Sequence, residues 1–243
     1  MSRGIADGQG RVAEAADLLQ QVAARHAPAA LASSFGAEDM VLTDLIARHA
    51  LPIAVFTLDT GRLHGETYAL IDRVREHYRL PIEVHYPDAR SLEDYVRAHG
   101  VNAFYRSVEL RQRCCAIRKA EPLSSALVGR GAWITGQRRT QSITRSALAI
   151  EEFDAGHGLP KFNPLAEWSD DEVWSYLREH AVPTNSLHAH GYPSIGCAPC
   201  TRAIEPGEDI RAGRWWWEHP EHRECGLHRR PLDVAVRVVE VAA

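Results

Sequence analysis

The sequence predicts an α/β protein built on a parallel sheet, followed by an irregular, cysteine-containing C-terminal segment. Three observations predict it. Short apolar runs of strand length alternate with segments of helical period over roughly the first 150 residues. The run Pro52–Leu58 (PIAVFTL) is continuously apolar, as expected of a strand buried on both faces. Between residues 183 and 230 periodicity fades into Pro, Gly, His, Arg and Trp.

The elements follow in order. Residues 11–25 read as an amphipathic helix, with Val12, Ala15, Ala16, Leu19 and Val22 on one face. Ala29–Ser34 is a strand that stops at Ser33-Ser34-Phe35-Gly36, and Glu38–His49 is the next helix. The Pro52–Leu58 strand ends at Asp59-Thr60-Gly61. His64–Tyr78 is helical, Pro81–His85 a strand, and Ser91–Ala98 helical. A longer helical stretch covers Ser107–Leu127, with a break expected near Pro122. Ala132–Thr135 is a strand closed by Gly136, and Ser146–Ile150 is a candidate fifth strand. Ser169 and Glu172 have capping-box spacing, Trp168 and Val173 that of a hydrophobic staple, so a helix should run to about His180. Ligands of such sheets sit beyond the C-terminal strand ends. Loops 33–38, 59–64 and 136–145 fall there and suggest a nucleotide-like ligand.

The 243 residues suit one domain, or two at most. Apolar residues at 45% and charged ones at 25% are ordinary globular composition, and a core this large needs no disulfides. A net charge of -4 argues against a general nucleic-acid binder. No apolar run approaches the roughly 18 residues of a spanning helix. Met1–Gly10 carries no hydrophobic segment that would mark export, so a cytoplasmic location is expected.

The five cysteines are Cys114, Cys115, Cys197, Cys200 and Cys225. An odd count in such a chain does not read as a disulfide framework. Cys114-Cys115 and Cys197-Ala-Pro-Cys200 together make four thiols, enough for a tetrathiolate site. Zinc prefers two knuckles of C-x-x-C type. Adjacent ligands suit an iron–sulfur cube better, because its irons are separate from one another. Four buried free cysteines, or a redox-active C-x-x-C, are the alternatives. Cys225 stands apart among Arg223, His222, His228, Arg229 and Arg230, cations that lower a thiol pKa. It reads as a nucleophile, a redox partner, or an unpaired surface cysteine.

Arginines mark a local anion site within a net acidic chain. Arg138 and Arg139 follow Gly136, Arg145 lies six residues on, and Arg211 and Arg214 precede Trp215-Trp216-Trp217. Taken singly, each could equally be solvated surface charge. The loop Ser33-Ser34-Phe35-Gly36-Ala37-Glu38 can offer backbone N–H groups to a phosphate, or be an ordinary strand–helix turn. It has neither the G-x-x-x-x-G-K-[ST] nor the G-x-G-x-x-G pattern, which speaks against triphosphate hydrolysis and NAD binding.

Taken together, these segments closely resemble the assimilatory adenylyl-sulfate (APS) reductases of the APS/PAPS reductase family. The matching stretches are SSFGAEDMVL (33–42), TLDTGRLHGETY (57–68), RCCAIRKAEPL (113–123), ITGQRRTQSITR (134–145), KFNPLAEWSDDEVW (161–174), PTNSLHAHGYPSIGCAPCTR (183–202), GRWWWE (213–218) and ECGLH (224–228). The resemblance implies a Rossmann-like parallel sheet of the adenine nucleotide alpha hydrolase type. It implies a single domain over 1–243, with a nucleotide-binding core at about 28–182 and a cluster-binding, catalytic segment at 183–243. It implies that Cys114, Cys115, Cys197 and Cys200 bind a [4Fe-4S] cluster, thought to act electrostatically. Cys225 would attack the sulfur of APS to give an S-sulfocysteine and AMP, and thioredoxin or a glutaredoxin-like dithiol would release sulfite. Lys119 matches a lysine between cluster and substrate. Arg145, Arg211 and Arg214 match arginines that grip the phosphosulfate, and His228 lies beside the nucleophile. The backbone at Leu58 and Gly136 would read adenine, and Ser33, Ser34, Phe35 and Gly36 would lie along the nucleotide, with Arg138 and Arg139 also in the substrate set.

Reductases that use PAPS commonly lack the two cysteine pairs, so APS is the expected substrate, although some cluster-bearing members take both. The chain departs from the family in one respect: 18 residues follow Cys225, where the family nucleophile usually lies very near the C-terminus. Asp233–Val241 has partial strand alternation. A PAPS or dual-substrate reductase, or a redox-sensing iron–sulfur or zinc module that is not an enzyme, are the competing readings. No membrane or nucleic-acid partner is expected, and a homo-oligomer is compatible with the sequence.

Overall fold

A helix, α1 (Ser2–Arg25), leads into strand β1 (Ala29–Ala32), and helices and strands then alternate. They are α2 (Ala37–Arg48), β2 (Ile53–Leu58), α3 (Gly65–Tyr78), β3 (Ile82–His85), α4 (Ala89–His99), α5 (Val108–Cys115), α6 (Glu121–Leu127), β4 (Ala132–Ile134), β5 (Glu151–Asp154), β6 (Leu159–Phe162) and α7 (Asp170–Glu179). The computed structural model describes residues 2–141 and 145–219, with side chains from residue 10 onward. Cys225, His228 and the 233–241 stretch lie outside the described residues.

The six strands form one sheet in the order β3-β2-β1-β4-β6-β5. Pairing is parallel except between β5 and β6. β1 sits between β2 and β4, with Leu31 opposite both Val55 and Ile134. Side chains of successive strand residues leave opposite faces. Ala29, Leu31, Ile53, Val55, Ala132 and Ile134 accordingly join a core with residues of α1, α2, α3 and α7. Ala30, Phe56 and Trp133 leave the other face and pack on Leu123, Ala126 and Leu127 of α6. A third apolar cluster, which includes Phe104, Ile117 and Trp215, encloses Cys114, Cys197 and Cys200.

The expected face of α1 is the buried one: Ala15, Ala16, Leu19 and Val22 are all in the core, though the helix starts at Ser2. The capping box of α7 is present in both directions. Ser169 Oγ accepts from the Glu172 N–H at 3.2 Å, and Glu172 Oε2 from the Ser169 N–H at 2.7 Å. Trp168 and Val173 are both buried beside it.

Two expectations need correction. The helical stretch 107–127 is interrupted earlier than Pro122, by a π-turn over Ala116–Ala120. Pro122 lies in the first turn of α6. Its ring has no N–H and would crowd the carbonyl four residues back, which falls inside the wider turn. Ser146–Ile150 is not a strand; the chain turns there, and the strand begins at Glu151. β5 is a half-exposed edge strand reading EEFD, so it lacks the apolar run that marks its parallel neighbours. Among the described residues no helix is long and apolar enough to cross a membrane.

One buried carboxylate ties three helices together. Asp44 on α2 accepts from Tyr78 Oη of α3 at 2.8 Å and from Tyr176 Oη of α7 at 2.6 Å, and pairs with Arg48 at 2.8 Å. Burial, then the bond to Asp44, raises both phenol pKa values. Asp44→Ala leaves the buried Tyr176 hydroxyl, the half-buried Tyr78 hydroxyl and the exposed Arg48 cation without their acceptor. We expect it to cost about 3–5 kcal/mol, read as a lower urea midpoint. Nucleotide affinity of the protein that remains folded should be unchanged.

Candidate active site

The three loops at the C-terminal ends of β1, β2 and β4 line one cavity of about 670 Å³. Ser33, Ser34 and Gly36 come from the first, Leu58 and Thr60 from the second, Gly136 and Gln137 from the third. Such a volume suits a nucleotide-sized ligand.

The first loop is held from within. Ser33 N–H donates to Phe56 carbonyl at 2.8 Å, and Phe35 N–H to Ser33 Oγ at 3.2 Å. Phe35 has a left-handed backbone, φ 59°, which costs a non-glycine residue energy. Its ring is sunk in the core at 1% exposure and does not line the cavity. Only the backbone of this expected substrate residue is placed along the loop. Ser34 donates through both N–H and Oγ to Asp39 Oδ2, at 2.6 and 2.8 Å. Gly36 is the N-cap of α2, with no side-chain cap, so the helix N-terminus opens toward the cavity.

Asp39 is buried, which pushes its carboxyl up to about 6; the Ser34 bonds oppose the shift, and Glu38 adds to it. Gly136 packs against this pair. A Cβ there would lie 2.4 Å from Asp39 Oδ1 and 2.9 Å from Glu38 Cβ, so only glycine fits.

The arginines divide. Arg145, Arg211 and Arg214 all line the cavity. Arg214 is nearly buried, reaches Ile195 carbonyl at 3.2 Å and lies 4.7 Å from the centre of the Trp215 ring. A Cβ on Gly196 would strike its guanidinium at 2.3 Å. Arg138, by contrast, is committed to protein partners. It holds Glu38 at 2.7 and 2.9 Å, Thr140 at 2.7 Å and the Trp168 carbonyl at 3.1 Å, and it also bonds Asp170. It too lines the cavity, and these bonds brace α2 and α7 in the cavity wall. Arg139 does not line the cavity; it donates to Leu148 carbonyl at 2.8 Å and pairs with Glu167 at 2.7 Å. The sequence gives all five the same anion-binding chemistry; carboxylates distant in sequence make the difference.

A smaller cavity beside the first is lined by Cys114, Cys115, Cys197 and Cys200. The last residues of α5 supply one pair and a 3-10 turn, Ala198–Cys200, the other. None is in a disulfide. Thr60 Oγ1 lies 3.2 Å from Cys197 Sγ, and the Ala198 N–H donates to the Arg62 carbonyl at 2.8 Å, which ties this site to the β2 loop. Arg62, Arg111, Arg118 and Lys119 surround the thiols. Burial, then the neighbouring Cys197, pushes Cys200 up to about 12, while Lys119 and Arg214 pull the other way. Burial also raises Cys114. Buried Arg118 Nε has no hydrogen-bond partner.

Among the described residues no group of three or more His, Cys, Asp or Glu is arranged for a single metal ion. A cubane distributes four thiolates over four separate irons, and the donor chemistry here fits that group: four convergent thiols ringed by four cations. Lys119, on the π-turn, lines both cavities. Sequence reasoning missed Asp39, Thr60, Arg111 and Arg118, whose roles come from partners distant in the chain or from burial.

The Asp39 carboxyl gives a pH signature. In the folded protein it holds its proton more tightly than the ordinary value of 3.8, so its favourable contribution is full below that pH and is lost as pH rises to about 6. Asp39→Asn keeps an oxygen for both Ser34 bonds. Relative to the native chain, it should gain roughly 3 kcal/mol between about pH 4 and pH 7, measured as the difference in urea midpoints.

A family model described as the phosphoadenosine phosphosulfate reductase domain matches residues 28–203. The adenosine 5'-phosphosulfate reductase of Allochromatium vinosum is 57% identical over 220 residues, covering 90% of this chain and 86% of that protein. The Burkholderia cepacia protein of the same name is 58% identical over 211 residues, covering 87% and 84%. Among solved structures, a phosphoadenylyl-sulfate reductase from Candida auris in a phosphate complex superposes with a TM-score of 0.68 at 27% identity, covering 79% of this chain and 90% of that one. A yeast FAD synthetase bound to FAD shares the fold, with a TM-score of 0.55 at 17% identity and coverage of 84% and 69%. The sheet, the cavity and these likenesses agree: the chain belongs to the APS/PAPS reductase family, on the side of the adenosine 5'-phosphosulfate reductases.

Proposed function

We propose that the chain reduces adenosine 5'-phosphosulfate (APS) to sulfite and AMP, in assimilatory sulfate reduction in the cytoplasm. The observation that carries this reading is the position of Lys119, shared by the nucleotide-sized cavity and the four-thiol cavity. The names of the relatives support APS over PAPS as substrate. On this reading residues 1–243 act as one domain, with the nucleotide-binding core at about 28–182 and the cluster-binding, catalytic segment at 183–243.

AMP would occupy the large cavity. Backbone groups of Leu58 and Gly136 would meet adenine, and the loop Ser33–Gly36 would run along the nucleotide. Arg145, Arg211, Arg214 and Lys119 would neutralise the phosphosulfate, which makes AMP a better leaving group. The Cys225 thiolate then attacks sulfur. A new S–S bond forms, the S–O bond breaks, and its electron pair leaves on the AMP phosphate. His228, three residues from Cys225, would act on the nucleophile or its surroundings. A thiolate of thioredoxin or a glutaredoxin-like dithiol attacks Cys225 Sγ, and sulfite departs with the S–S electron pair. The second thiol of that dithiol resolves the mixed disulfide, so the two electrons come from the dithiol. Cys114, Cys115, Cys197 and Cys200 would hold a [4Fe-4S] cluster. When bound, that cluster supplies a compact charge centre beside Lys119.

Two measurements test this. Anaerobically purified protein should hold about four irons and four sulfides per chain. Zinc, or no metal under cluster-preserving conditions, would remove the support for the four-thiol assignment. Cys225→Ser should bind AMP as the native chain does, yet give no S-sulfo adduct by mass spectrometry and no sulfite. Turnover by that variant would overturn the mechanism, and comparable initial rates with APS and PAPS would favour the dual-substrate reading.

A further inference from the structure

One buried ion pair is not accounted for by the chemistry above. Arg111 on α5 lies three residues before Cys114, and Glu218 lies seven residues before Cys225. Their side chains are 1% and 3% exposed. They meet bidentately: Arg111 Nε donates to Glu218 Oε1 at 2.9 Å and Nη2 to Oε2 at 2.8 Å. The same guanidinium lines the small cavity beside Cys115 and lies 4.8 Å from the centre of the Trp215 ring. Trp215 N–H donates to the Cys200 carbonyl at 3.1 Å, and Glu218 N–H to the Trp215 carbonyl at 2.9 Å. One guanidinium therefore sits beside one cysteine pair, reaches the other through Trp215, and grips the chain just before the Cys225 segment.

A fully buried pair is poor value as a stabiliser, because two charges lose their water and apolar side chains of similar size do as well. Its bidentate geometry does fix orientation. An anchor at Glu218 also limits where Cys225 can go: seven residues span at most about 25 Å. Release of the anchor back to Trp215 would add three residues of slack, about 10 Å. In-line attack at a bound sulfur is sensitive to far smaller displacements.

We infer that Arg111 and Glu218 are positioning residues, a latch that ties the segment bearing Cys225 to the helix bearing Cys114 and Cys115. The inference rests on the proposed role of Cys225 and adds to it how the nucleophile is kept within reach of the cavity. The latch acts on the rate of attack and not on nucleotide binding, because neither residue lines the large cavity.

The test uses the full chain, purified anaerobically, as Glu218→Gln, Arg111→Lys and the double variant Arg111→Met/Glu218→Leu. The double variant removes the latch without leaving a lone buried charge, so it guards against a simple folding defect. Three quantities are read: iron per chain, AMP affinity by calorimetry, and the single-turnover rate of the S-sulfo adduct. The expected result is native iron content in Glu218→Gln, whose side chain does not line the four-thiol cavity, AMP affinity within about twofold in all three variants, and adduct formation slowed at least about tenfold in all three, with kcat falling and KM nearly unchanged. A native adduct rate in the double variant would overturn the latch, as would a parallel loss of iron in Glu218→Gln or of AMP affinity in any of the three. Native protein that forms no adduct at Cys225 would instead overturn the underlying reading, and the latch with it.

Discussion

The arrangement rests on β1 being paired in parallel on both sides, to β2 and to β4. Parallel pairing puts the C-terminal ends of these three strands at one edge of the sheet, and with them the loops at Ser33, Thr60 and Gly136. Displacement of that central strand would scatter residues that are close only because their strands end together. The packing agrees at each level. Leu31 is in the core with α1 and α2 while its neighbour Ala30 meets α6, so a slip of one residue would exchange the two faces. The close approach of Gly136 to Asp39 is the local consequence, where the loop after β4 and the first turn of α2 are too near for a methyl group.

The four-thiol site depends on the same frame at one remove. Its cysteines come from two regions some eighty residues apart in the chain (Cys115 and Cys197). They are brought together through the β2 loop, where Thr60 meets Cys197 and Arg62 accepts from Ala198. The π-turn after Cys115 sets Lys119 at the boundary between the cavities. Wider helical turns of this kind often occur where function constrains the chain.

What the sequence reveals follows the range of the interactions that decide each feature. The strands β1 to β4, the buried face of α1 and the α7 capping box are set by neighbours within a few residues, and they are legible. The β5–β6 hairpin is not: Glu151–Asp154 has no apolar run, and its partner strand contains Pro160. Within the site the cysteine pairs and Lys119 stand out because residue type and spacing carry the signal. The arginines do not sort themselves. Arg138 and Arg214 look alike in sequence, yet Arg138 meets Glu38, a hundred residues away, and Arg214 has a glycine at position 196 to make room for it. The Arg111–Glu218 pair spans 107 residues, and no local pattern announces it.

The proposed chemistry brings an activated sulfur electrophile into a molecule with five thiols, only one of which should react. The burial of Cys114 and Cys200 supplies part of an answer, in terms of chemoselectivity. A thiol held near 12, as Cys200 is, stays protonated at neutral pH and is a weak nucleophile. The burial that raises Cys114 and Cys200 therefore also keeps these two from competing for the substrate while they carry no metal. The same surroundings that make a site ready for a cofactor make it inert toward the reaction next door.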